Sequence, residues 1–534
     1  MTEKQNTVPC FTMVKEQIAP VRIPDSFRIE NAQEITVQKE PCVSFGNEPC
    51  TRFTCKGAWI LLDFGKELCG GLRLITREAT AGTEIRITLG ESLSEAYSAL
   101  GEKNATNDHS PRDFTATLTA LSDLTFGQSG FRFARVELLT DSPISVQSLF
   151  AEGQLPAFPR EAMIKTSDRR LNKILETAAY TLKLNLQNGY IWDGIKRDRL
   201  VWSGDLHQEV ITSLYLFGDN VNITNSLSFL RSCTPSDKWM NHIPAYSAWW
   251  VINLCDYCSY TNNLKYFAQN QSYAEDILYR FNSCIRNDGR IDFGDQPTAY
   301  FLDWPTYETP DSETGTAMII LIASKKYLTF TDCAACREII KKLEHYLNAP
   351  CRTKQTHAFQ VLAGNAKTND CDILEDGGAA GFSTFMAYYI LKADAICGGN
   401  NMLPILKEYF GAMLSRGATT FWEDFDLSWL NGSGRIDALP KRGQKDLHGD
   451  HGAFCYQGFR HSLCHGWSCG VVSFVIEHIF GIHFENGTKK IIVRPHKTCP
   501  DFKLKMPLPK GWLHIRYKCG ALQVKAPEHI EVLY

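Results

Sequence analysis

No run of about 18 or more apolar residues occurs in this 534-residue chain, which excludes an integral helical membrane protein. Neither sign of charge is in excess. The 56 Lys and Arg face 59 Asp and Glu, for a formal net charge of −3. Without a basic stripe interleaved with aromatics, nucleic acid is not expected as a partner. Long polar tracts are missing, and an apolar fraction of 44% belongs to a folded chain rather than a disordered one. The phosphate loop GxxxxGK[ST], a GxGxxG turn after a strand and a GxSxG elbow are also lacking. Their absence argues against nucleotide-dependent and serine-hydrolase chemistry. At roughly 150 residues per domain, the length suggests three to four domains.

Cysteine, by contrast, is plentiful, with 19 in all. The opening MTEKQNTVPCFTMVKEQIAPVRIPDSF has no apolar core of the kind a secretory signal needs. A cysteine-rich chain of that kind is expected to be reduced and cytoplasmic. Two CxxC pairs, Cys255/Cys258 and Cys333/Cys336, offer the spacing of a zinc site. They lie far apart inside apolar, helix-like stretches, so small buried thiols are the expected reading. No metal and no cofactor are expected.

The pattern of apolar residues divides the chain. Over residues 1–160, segments such as WILLDF, LRLITRE, TEIRITLG, RFARVELL and ISVQSLF alternate apolar and polar positions over strand lengths, which predicts a β-sandwich. Pro156 and Pro159 mark the change. Over 161–483 the period becomes helical in LNKILETAAYTLKLNL, DLHQEVITSLYLFG, SAWWVINLCDYCSYT, TGTAMIILIASKKYL, FSTFMAYYILKADAI and others. About ten to twelve helices with short connections suit an α/α barrel better than a solenoid, because no sequence repeat is visible. From 484 to 534 short strands return (KKIIVRPH, DFKLKMPLP, GWLHIRYKCG). So short a segment is expected to pack on the barrel or to complete the sandwich.

Three clusters could carry chemistry. The densest runs from Trp192 through Asp193, Lys196, Arg197, Asp198, Arg199 and Trp202 to Asp205, in a loop between predicted helices. A salt-bridged cap, with Asp205 starting the next helix, is the plain alternative. Tryptophans beside carboxylates favour a sugar site, since aromatic faces pack on pyranose C–H groups while acids bind hydroxyls. The second cluster is Arg416 to Phe425, with Trp422, Glu423 and Asp424. Together the two supply what glycoside hydrolysis needs: one carboxyl to protonate the leaving oxygen and one to activate water or attack the sugar. The third is His448, His451, His461 and His465, the last two spaced for one helical face. With no HExxH motif, a histidine donating into a sugar pocket is expected there rather than a metal pair.

The segments DGIKRDRLVWSGD, GATTFWED and HSLCHGW, with LLDFGKELCGGLRL, IPAYSAWWVINL and FLDWP, resemble the signature segments of the α-L-rhamnosidases of glycoside hydrolase family 78. The likeness runs from about Asp63 to the C-terminus. It implies an (α/α)6 barrel between β domains. It also implies Asp198 as general acid, seven residues before the closing Asp205, and Glu423 after TT-x-W as general base. Asp193 and Asp205 match sugar-binding acids. Trp202 matches the aromatic residue after the acid, and His465 a histidine of the sugar pocket. Trp304, with Trp249 or Trp250, matches aromatic pocket walls, and Arg197 and Trp422 complete the expected lining. The chain departs from the family pattern where Asp198 stands for a common Glu and Gly194-Ile195 replaces Cys-Pro.

The resemblance thus implies inverting hydrolysis of small rhamnosides. The expected substrate is a carbohydrate, with no nucleic acid or membrane partner, and the oligomeric state is left open. Two rivals remain. One is another glycosidase or a lyase on the same barrel, although a lyase would want a Tyr/His/Arg site in a basic groove. The other is a non-catalytic carbohydrate-binding homologue.

Overall fold

The computed structural model describes residues 11–42, 49–307, 309, 311–365, 371–485 and 487–534. The leading region is antiparallel sheet. Nine strands share one hydrogen-bonded sheet, dominated by Trp59–Glu78, Asp123–Leu138 and Ile144–Ala157. Where Trp59–Glu78 pairs with Asp123–Leu138, the register shifts between Asp63 and Leu68 and again between Gly70 and Leu72. Such bulges bend a strand. A Cβ on Gly70 would lie 2.0 Å from the Glu152 carbonyl oxygen, so the close approach of backbones here requires glycine.

Alternation places Ile60, Leu62 and Phe64 with Ile85, Ile87 and Val136 in a core of their own, as the two-residue period of a strand demands. The other face, at Leu61 and Phe133, packs on the short helix Leu93–Tyr97.

From Arg169 the chain is helical. The helices of this region are α1 (Arg169–Asn185), α2 (Leu206–Phe217), α3 (Val221–Cys233) and α4 (Pro244–Thr261). There follow α5 (Leu264–Cys284), α6 (Asp311–Leu328), α7 (Ala334–Leu343) and α8 (Lys354–Leu362). The last are α9 (Cys371–Glu375), α10 (Met386–Cys397), α11 (Met402–Ser415) and α12 (Val471–Phe474).

Even-numbered helices pack on one another in order, α2 on α4, then α6, α8, α10 and α12, and α12 returns to α2. Odd-numbered helices lie against them: α1 on α2, α5 on α4, α7 on α6, α9 on α8 and α11 on α10. The sequences reflect the two positions. Helix α5 buries a stripe of Phe267, Asn270, Ala274, Ile277 and Phe281, as an outer amphipathic helix should. Its start is fixed by Asn263, whose side chain accepts the Tyr266 N–H. Helix α4 is buried continuously from Pro244 to Cys255, so its apolar residues show no single face. The apolar period singles out neither α8 nor α9. Helix α8, KQTHAFQVL, buries hydrogen-bonded Gln355, Thr356 and Gln360 beside Ala358, Phe359 and Val361.

The closing strands build two small sheets on the helical core, which includes Phe480, Phe502, Leu504 and Met506. Their four-stranded sheet takes in Met163–Thr166, paired antiparallel with Phe502–Pro507. The chain therefore contributes to this sheet before the helices begin, which the sequence reading did not foresee. Cys255, Cys258, Cys333 and Cys336 are buried in the helical core, where burial pushes the Cys255, Cys258 and Cys336 thiols up. No helix among the described residues is long and apolar enough to cross a membrane.

Candidate active site

The segments leading into α2, α4, α6 and α12 converge on a cavity of about 590 Å³. Asp193, Arg197, Asp198, Trp202 and Asp205 reach it from the loop between α1 and α2, joined by Trp304, Glu423 and His465. A Cβ on Gly204 would come within 2.5 Å of the Tyr246 ring. Glycine before Asp205 is what lets this loop lie against α4. Asp205 occupies the N-cap of α2 without a capping bond. Its Oδ1 instead accepts the Tyr246 hydroxyl at 3.1 Å.

Arg197 stands at the centre. Its Nη1 lies 3.2 Å from Asp198 Oδ1, and its Nη2 donates to Glu423 Oε1. Arg197 and Glu423 are separated by 226 residues in sequence, and only the packing of the helices brings their loops together. The two carboxyls occupy different depths: the Glu423 side chain is 2% exposed and the Asp198 side chain 17%. Asp198 and Arg199 both take left-handed backbone, at φ 56° and 54°, a conformation Asp tolerates better than most residues. The Asp198 N–H donates to His109 Nδ1 at 3.0 Å, so the sheet region holds this turn.

His465 Nε2 lies 3.8 Å from Asp193, 3.9 Å from Asp205 and 3.7 Å from Glu423. Burial, then the Arg197 charge, holds its imidazole well below the ordinary value, leaving it neutral. Burial first, then Asp198 and Asp205, holds Asp193 well above the carboxylate range. Burial pushes Asp205 up to about 8 against the lowering effect of the Tyr246 bond.

Asp205 therefore stays protonated in the folded protein to about pH 8, whereas an unfolded carboxyl ionises near 4. Its contribution to stability is full below the unfolded value and is lost as pH rises through the folded one. Between about pH 5 and 8, the thermal midpoint should fall more steeply for wild type than for Asp205→Asn. Calorimetry across that range checks this, and equal slopes would contradict it.

The tryptophans divide. Trp202 and Trp304 line the cavity. Asp303 sets Trp304 in place by accepting the Thr306 N–H at 3.1 Å and the Ser383 hydroxyl at 2.8 Å. Trp304 then stacks on Phe454, with ring centroids 5.5 Å apart.

Trp249, Trp250 and Trp422 do not belong to this lining, which corrects the expectation from sequence. Trp249 lies a turn further along α4 and packs on Phe359 and Tyr389. It borders a second cavity of about 400 Å³ near the opposite ends of the even helices, whose lysines are paired, Lys326 with Asp256 and Lys392 with Glu477. Trp250 points outward, its indole donating to the Leu227 carbonyl at 3.0 Å. Trp422 is turned into the core against Phe425, away from the cavity that its neighbour Glu423 faces. Nor do His461 and His465 share a helical face. Both precede the helical turn Gly466–Gly470, with the His465 N–H bonded to the Phe421 carbonyl and His461 Nε2 accepting the Asp424 N–H.

Sequence reasoning missed Tyr246, Tyr456 and Trp467 in the lining. Tyr246 and Trp467 sit inside the quoted segments IPAYSAWWVINL and HSLCHGW. The aromatic cluster at 454–456 stands next to no acid and carried no signal.

Two carboxyls thus face a cavity with aromatic walls at one end of a ring of paired helices. Residues 159–262 match the family model described as the bacterial alpha-L-rhamnosidase 6 hairpin glycosidase domain. Among solved structures, the chain is similar to the GH78 family rhamnosidase of Bacillus sp. GL1, with 18% identity and a TM-score of 0.71, covering 92% of this chain and 54% of that one. It is similar to the Klebsiella oxytoca rhamnosidase, solved with rhamnose bound, at 17% identity and a TM-score of 0.67, covering 87% and 96%. It is also similar to the Streptomyces avermitilis alpha-L-rhamnosidase complexed with L-rhamnose, at 16% identity and a TM-score of 0.68, covering 89% and 48%. The chain thus spans about half the length of two of these relatives and nearly all of the third. No curated protein matches it by sequence. These likenesses show that the chain has the fold of these rhamnosidases, with the family-model match confined to residues 159–262.

Proposed function

We propose that the protein is an inverting α-L-rhamnosidase that releases terminal L-rhamnose from small glycosides. The ring of even helices inside odd ones is read as an (α/α)6 barrel, 161–483. A β-sandwich, 1–160, precedes it and a small β domain, 484–534, follows. Asp198, at the mouth, protonates the leaving-group oxygen. Glu423, at depth, takes a proton from the water that attacks the far face of the anomeric carbon. Asp193, Asp205 and the neutral His465 meet sugar hydroxyls, and Trp202 and Trp304 offer faces to the ring and its methyl group. Arg197 fixes both carboxyls.

The observation that carries this reading is the pair Asp198 and Glu423 on opposite nitrogens of one guanidinium. An inverting pair stands roughly 6.5–9.5 Å apart with room for water, and a retaining pair at ~5 Å; we take this pair as inverting.

The test is hydrolysis of p-nitrophenyl α-L-rhamnoside beside a panel of other chromogenic glycosides. Release from the rhamnoside alone, unchanged by EDTA, is the expected result. Turnover of a different glycoside would move the specificity. Sugar binding without any turnover would leave only a binding homologue. Full loss in EDTA, restored by a divalent ion, would overturn the metal-free acid–base mechanism.

A further inference from the structure

A buried glutamate at a strand end of the sheet region reaches the site. Glu91 directly follows the strand Thr83–Gly90 and is 1% exposed. Its Oε2 accepts the Leu463 N–H at 2.6 Å, and its Oε1 accepts the Ser462 hydroxyl at 3.2 Å. The Ser462 N–H in turn donates to Glu423 Oε2 at 3.0 Å, while the Glu423 N–H donates to the Ser462 carbonyl at 2.9 Å. One carboxylate thus grips the segment that grips the other.

Lys196, next to Arg197, closes the arrangement. Its Nζ lies 2.9 Å from Glu91 Oε2 and 3.2 Å from Glu95 Oε1. It also donates to the carbonyls of Phe459 and His461 at 2.9 and 2.6 Å. Glu91, Glu95 and His448 are the group of described residues close enough to share a metal ion. The Lys196 ammonium, resting on both glutamates, already supplies the cation that such a group needs. A charged donor and a charged acceptor buried together make strong, directional bonds, and they lose most when one partner is withdrawn.

We propose that Glu91 is a positioning residue for the reaction. By holding Ser462 and Leu463 it sets the orientation of the Glu423 carboxylate, so the sheet region is part of the working site. This rests on Glu423 acting as the base. Misplacement of a reacting group by about 1 Å can cost ~10²-fold in rate. A side chain at position 91 one methylene shorter cannot serve Leu463 and Ser462 together.

Two variants separate reach from charge. Glu91→Asp keeps the charge opposite Lys196 but withdraws the carboxyl. Glu91→Gln keeps the reach, since its amide oxygen can accept the Leu463 N–H while its NH2 faces the Ser462 hydroxyl. With p-nitrophenyl α-L-rhamnoside, and folding checked by thermal melting, Glu91→Asp is expected to lower kcat at least ~10-fold with KM within ~2-fold. Glu91→Gln should recover most of that loss. On a Glu423→Gln background, where orientation of the base no longer matters, Glu91→Asp should add less than ~2-fold, because the two residues act as a unit.

If wild type turns over no glycoside, the reading of the site falls and this role falls with it. If wild type is active, three results overturn the role of Glu91 alone. These are wild-type kcat in Glu91→Asp, a Glu91→Gln variant as slow as Glu91→Asp, or an undiminished loss on the Glu423→Gln background.

Discussion

Glu423→Gln and Asp198→Asn are each expected to cut turnover of an α-L-rhamnoside with a poor leaving group by at least ~10²-fold, with the fold intact. The two losses should differ in kind. The acid delivers its proton to the departing oxygen, so a good leaving group such as p-nitrophenolate needs little help. Asp198→Asn should then lose far less on the aryl substrate than on an alkyl or sugar aglycone. The base works on water, whatever departs, so Glu423→Gln should be slow on every substrate. Steady-state kinetics on one good and one poor leaving group read both effects. Near wild-type turnover of the poor substrate by either variant would remove that residue from its role. The difference in burial fits the proposed division of labour, with the Asp198 side chain 17% exposed and the Glu423 side chain 2%.

Arg197→Ala should have the largest effect on stability. The guanidinium is 6% exposed and touches two carboxylates, one of them 2% exposed. Breaking a buried pair by removing one partner typically costs ~3–5 kcal/mol, since the other charge is left uncompensated. Arg197→Lys should not restore function, because a single ammonium cannot present two nitrogens in one plane to two carboxyls. Denaturant unfolding of both variants, beside their turnover, checks the claim. A stable and active Arg197→Lys would show that the fork geometry is dispensable.

Much of this site was legible in the sequence, for a chemical reason. Acids interleaved with cations and tryptophans over residues 192–205 are costly to place in a core and uncommon in a plain loop, so they announce a pocket. What stayed hidden was direction. IPAYSAWWVINL advertises two tryptophans, yet it is Tyr246, in the first turn of α4, that faces the cavity. Trp249 and Trp250 lie a turn deeper, one toward the centre of the ring and one toward its outside. Side chains 100° apart on an inner helix that is buried all round give no apolar stripe from which to tell them apart. Neighbours in the non-helical stretch at Trp422 and Glu423 diverge in the same way.

The fold shows a similar limit. Outer helices such as α5 declare themselves by period, whereas α8 buries Gln355, Thr356 and Gln360 among its few apolar residues, and a count of apolar residues passes them over. Glu91 was invisible for a further reason. It lies at a strand end in a different part of the chain, and nothing local marks it as reaching the segment that holds Glu423.

The central claim is that Asp198 and Glu423 act on opposite faces of the sugar with a water between them. The most direct test is proton NMR of the first-formed product, followed from the start of hydrolysis of an aryl α-L-rhamnoside before mutarotation sets in. The account predicts that β-L-rhamnose appears first and α-L-rhamnose only later. Appearance of the α anomer first would mean retention, which requires a covalent intermediate on a carboxylate, and would contradict it.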